Sequence, residues 1–105
     1  MKNYKVVIVT DAKEDLRRIL DYLRNIKQSK QAASNVMSDF RETIKTLSIA
    51  ADSLKLSDNS KLTERGLKRI NFKRHNYFML YYTEENTVFV TNIFHNLEDY
   101  ENKIN

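Results

Sequence analysis

The stretch NFKRHNYFMLYYTEENTVFVTNIFHNLEDY, residues 71–100, decides the fold. It holds two runs rich in Val, Ile, Tyr and Phe, residues 77–83 and 87–94, separated by the polar triplet Glu84, Glu85 and Asn86. Side chains suited to a pleated, half-buried surface on either side of so short a break predict an antiparallel hairpin. His75 and Asn76 form a second polar turn, and residues 67–72 ahead of it read as another short strand, which extends the hairpin to a meander. Along residues 77–82 the side chains alternate, so Tyr77, Met79 and Tyr81 share one face while Phe78, Leu80 and Tyr82 share the other. One of those faces must lie on helices.

The helices are found upstream. YKVVIVT, residues 4–10, is β-branched and reads as a strand. Asp11 with Glu14 three residues on resembles a capping box, and Leu16, Ile19, Leu20, Leu23 and Ile26 recur at helical spacing. That helix fades at Lys27 and Gln28. Ser29 can cap a second helix whose stripe is Ala32, Ala33, Val36, Met37, Phe40, Ile44 and Leu47, running to about residue 50. So short a connection makes the two helices antiparallel neighbours. Residues 51–66 lose the helical period and end in the only glycine, Gly66, as a loop would. LEDYENKI, residues 97–104, suggests a short terminal helix. The expected fold class is α+β, a helical hairpin packed on a small, twisted, mainly antiparallel sheet in the order β-α-α-β-β-β-α.

A chain of 105 residues suits one domain, 1–105, with one modest core. Without cysteine there is neither a disulfide framework nor a thiolate metal site, and two histidines make a zinc site a weak reading; no cofactor is expected. The opening apolar run is too short for a signal peptide or a membrane span, so a soluble cytoplasmic protein is the expectation. Charge is unevenly placed. Residues 61–75 carry six Lys or Arg against one Glu, while residues 76–105 carry one Lys against five acidic residues. The basic segment, KLTERGLKRINFKRH, suits phosphate or an acidic protein partner, and equally a solvated, lysine-rich edge.

Taken in order, YKVVIVTDAKEDLRRILDYL, RGLKRINF, NYFMLYY and TVFVTNIFHNLEDYE resemble the RelE/ParE toxins of bacterial type II toxin–antitoxin systems across nearly the whole chain. The resemblance implies two activities on one fold. RelE-like members cut messenger RNA in the ribosomal A site; ParE-like members inhibit DNA gyrase and cleave nothing. Both are silenced by an antitoxin that wraps the toxin, so the implied partners are a cognate acidic antitoxin in a hetero-oligomer and either ribosome and mRNA or gyrase.

The first expectation is a ribosome-dependent mRNA endonuclease. Such cleavage needs a proton acceptor, cations against the phosphorane charge and a donor for the leaving oxygen. By position in the family, Arg69 falls on a basic site of the second strand, His95 on the basic site ending the last strand, and Tyr100 on a tyrosine of the tail. With Arg74 these are the candidate catalytic residues; Lys68, Lys73, His75 and Tyr77 are the candidate RNA contacts. His75 also reads as a solvated turn residue, and His95 as a strand-end histidine bonded to backbone. Two places depart from the cutters. Phe78 stands where an arginine usually follows the central-strand tyrosine, and Asn71 stands where another cation is often seen. A phenylalanine cannot offset phosphorane charge. The alternatives are therefore a gyrase inhibitor without chemistry of its own, or an inactive toxin that retains antitoxin binding.

Overall fold

The computed structural model describes residues 3–51 and 64–97. Its elements run β1 (Lys5–Ile8), α1 (Thr10–Asp21), a π-helical turn (Tyr22–Ile26), α2 (Lys30–Ala50), β2 (Lys68–Asn71), β3 (Tyr77–Glu84) and β4 (Thr87–His95). This is the α+β architecture expected from the periodicities. The strands β2, β3 and β4 form the meander, and β1 adds to β4 in parallel, giving the order β1-β4-β3-β2. A parallel partner requires a crossover, which the two helices supply. The expected terminal helix at residues 97–104 falls almost wholly outside the described residues, as does most of the loop at 51–66. No helix among the described residues is long and apolar enough to cross a membrane.

Local signals explain most boundaries. Ser29 accepts a hydrogen bond from the Ala32 amide at 3.0 Å and so caps α2 as its position suggested. The Asp11 box does not form. Helix α1 starts one residue earlier, at Thr10, and Val9 before it has no side-chain acceptor to cap with; its backbone is still tied to the sheet, its N–H donating to the Val90 carbonyl at 3.0 Å. At the other end the wider π turn shifts the phase of the apolar stripe. Ile26, expected on the buried side, is 69% exposed, as is about half of Tyr22. Gln28 then takes a left-handed φ of 53°, which reverses the chain into Ser29.

The alternation on β3 sorts the sheet's two faces. Met79 and Tyr81 join Val36, Phe40 and Leu47 of α2 in the main core, with Val88, Val90 and Ile93 from β4. Phe78 and Leu80 turn the other way and cluster with Leu67 and Phe94. On β4 the parity changes midway, because Leu80 pairs with Asn92 while Tyr81 pairs with Val90, leaving Thr91 as an extra residue. That bulge lets Val90 and Ile93 face the same core although they are three apart. Each fully buried aromatic or aliphatic side chain here is worth about 2–3 kcal/mol of burial free energy.

Candidate functional site

Both helices carry an aspartate on the apolar side. On α2 the buried run is Val36, Asp39, Phe40, Thr43 and Leu47, so helical geometry drives the Asp39 carboxylate toward the sheet. Only 1% of Asp39 is exposed. A buried carboxylate needs donors, and the turn between β2 and β3 supplies them. The Lys73 amide donates to Oδ1 at 3.1 Å, the Arg74 amide to Oδ2 at 2.9 Å, and the His75 ring contacts Oδ2 through Nδ1 at 2.7 Å. Burial pushes this carboxyl up, but the bonds from His75, Arg74 and Lys73, with the charge of His75, together outweigh it and hold Asp39 below its ordinary value. One turn further along α2, Glu42 accepts from the Arg74 guanidinium at 2.7 Å in an exposed pair. His75 is thus bonded and only partly exposed, not a solvated turn residue.

The second aspartate, Asp15, sits on α1 beside the half of β4 that extends past the end of β1. Its Oδ2 accepts the Ile93 amide at 2.9 Å and its other oxygen meets Arg18. Next to it a cleft of about 300 Å³ opens between α1 and the sheet, lined by Asp15, Arg18, Ile19 and Tyr22 on one side and Tyr77, Ile93 and His95 on the other. His95 meets the Tyr77 ring edge-on at 5.2 Å between centroids, and its Nδ1 accepts the Leu97 amide at 3.1 Å. With the Nδ1 lone pair engaged by that amide, the neutral ring carries its proton on Nε2 and can donate there.

Arg69 occupies the opposite face. Its guanidinium lies 3.8 Å from the centre of the Phe78 ring, and Nε donates to Asn71 Oδ1 at 2.9 Å. The two departures from the RNA-cutting pattern, Phe78 and Asn71, therefore both contact Arg69, whose guanidinium also reaches Asn96 Oδ1 at 3.5 Å. Phe78 belongs to the outer cluster while Tyr77, the partner of His95, packs on the helix-facing core, so the sheet separates Arg69 from His95. Lys73, Arg74 and His75 form a third group, fastened to α2. Lys68 lies on β2 with the parity of Ile70, toward the helices. Tyr100 lies outside the described residues. Folding thus joins the turn residues to one another and joins Tyr77 to His95, but among the described residues Arg69, Arg74 and His95 do not line one pocket. Asp39 and Asp15 were not singled out from sequence. The signal was present in each case, an acidic residue in step with an apolar stripe.

Among the described residues no group of three or more His, Asp or Glu side chains is placed to hold a metal ion. The arrangement offers a rigid cationic turn, an aromatic cleft with one arginine, and an exposed apolar helical tip; each suits binding.

The family model described as the ParE toxin of a type II toxin–antitoxin system, parDE, matches residues 6–100. A solved structure of a chromosomal ParDE toxin–antitoxin system from P. aeruginosa superposes with a TM-score of 0.69 at 18% identity, covering 88% of this chain and 95% of that one, a likeness of fold. A search of curated protein sequences returns no match.

Proposed function

The chain belongs to the ParE family of toxins of type II toxin–antitoxin systems, and from that premise we propose that it inhibits DNA gyrase by binding, with no catalytic chemistry of its own. An antitoxin partner comes with the family. The observation that carries the proposal is that Arg69 and His95 point to opposite faces of the sheet, Arg69 in register with Leu80 and stacked on Phe78, His95 in register with Tyr77. In-line attack on a phosphate needs its base and its cations within about 3 Å of the reacting atoms. Support also comes from His95, whose Nδ1 lone pair is engaged by the Leu97 amide. An endonuclease would need both side chains rearranged around one phosphate.

Gyrase and its DNA place the action in the cytoplasm. The antitoxin would be acidic, set against a chain of net charge +4, and would form a hetero-oligomer with it. The test is an ATP-dependent supercoiling assay with relaxed plasmid, purified gyrase and the purified chain. Inhibition that antitoxin relieves is expected; undiminished supercoiling at a large molar excess of the chain would overturn the proposal.

A further inference from the structure

We infer that the turn at residues 72–76, held by Asp39, is a contact for the phosphate backbone of duplex DNA. Three hydrogen bonds converge on one buried carboxylate from consecutive residues, two of them from backbone amides. That fixes the turn before any partner arrives, so its cations are presented without a further ordering cost. Asp39 directs its charge inward, and the Lys73 side chain has no ion-pair partner among the described residues. Among the described residues Arg74 pairs with exposed Glu42, a bond that a phosphate can replace with little loss.

The kind of partner follows from what the turn lacks. Protein interfaces draw most of their affinity from buried apolar or aromatic anchors. The turn's own apolar residue, Phe72, is 5% exposed and packs at a tilt between the Phe40 and Tyr77 rings. Single-stranded RNA is gripped by aromatic rings on which splayed bases stack, but of the two rings flanking this turn Phe72 is buried and Tyr77 turns away into the cleft beside α1, edge-on to His95. Cations and fixed backbone without a stacking platform suit the regular phosphates of a duplex. The choice of duplex DNA also rests on the proposed target, an enzyme that works on it.

The test is fluorescence anisotropy of a labelled duplex of about 20 base pairs, titrated with the purified chain over a range of salt, without gyrase. Lys73→Ala with Arg74→Ala is expected to weaken binding roughly tenfold and to reduce the salt slope by about 2, one for each phosphate that a cation no longer neutralises. Removing two α1 cations instead, Lys13→Ala with Arg17→Ala, should leave the slope nearly unchanged. Asp39→Asn separates positioning from charge. Loss of a negative charge alone would tighten binding, whereas loss of the rigid turn weakens it, by about threefold or more with the slope retained. Circular dichroism confirms that each variant is folded, and if Asp39→Asn is not, the double variant decides. Equal slopes for the two double variants, tighter binding by Asp39→Asn, or stronger binding to single-stranded RNA or to polyglutamate would each overturn the inference. Because gyrase is absent, failure here leaves the supercoiling result standing, and the reverse holds too.

Discussion

The two buried aspartates do the same work on different terms. Asp39 gathers three donors from one turn and neutralises none of the cations fully; Asp15 takes the Ile93 amide from β4 and leans on Arg18. Both register a helix on the sheet where strand pairing cannot. Asp39 ties down the middle of a connection whose ends are held by backbone bonds, Phe72 N–H to the Tyr77 carbonyl and Asn96 N–H to the Asn76 carbonyl, while Asp15 serves the edge of β4 that β1 is too short to cover. The difference lies in what each leaves outside. At Asp39 the surface is a fixed basic turn, and at Asp15 it is an aromatic cleft whose arginine is already engaged.

Substitution should separate them by size. Asp39→Ala strands two backbone amides and a histidine, and is expected to lower stability by about 3–5 kcal/mol in urea unfolding. Asp15→Ala strands the Ile93 amide and an arginine that is largely exposed, and should lower it by about 1–3 kcal/mol. Equal losses would erase the contrast between the two. Acid sharpens it next. The folded carboxyl of Asp39 lies below its unfolded value, so its contribution is complete above about pH 4 and is lost as pH falls from there toward the folded value. Urea midpoints measured through that window should fall more steeply for the native chain than for Asp39→Asn. The smallest effect belongs to the exposed bridge. Glu42→Ala should change stability by about 0.5 kcal/mol, and a loss as large as that of Asp39→Ala would mean that the surface pair, not the buried carboxylate, holds the turn.

Short-range pattern made much of this fold legible. The stripes of α1 and α2, the Ser29 cap and the three meander strands are all written in spacings of two to four residues, and the structure has them nearly where those spacings put them. Features that depend on distant partners were not legible. The parallel pairing of β1 with β4 joins residues some eighty apart, the Thr91 bulge follows from how β4 must serve both β3 and the helices, and the π turn follows from closing the hairpin. The site was harder still. Face parity was read on β3, but placing Arg69 against His95 requires the registers of β2 and β4 on it, which only folding supplies. Asp15 and Asp39 escaped notice because an acidic residue on a helix is ordinarily solvated; their phase with the apolar stripe was the available sign.

The most direct test of a toxin that binds without cutting is to map the 5′ ends of a translated message by primer extension, in a ribosomal system with the purified chain. The same ends are expected with and without it. New cuts within codons, present with the native chain and absent with a folded His95→Ala variant, would contradict it.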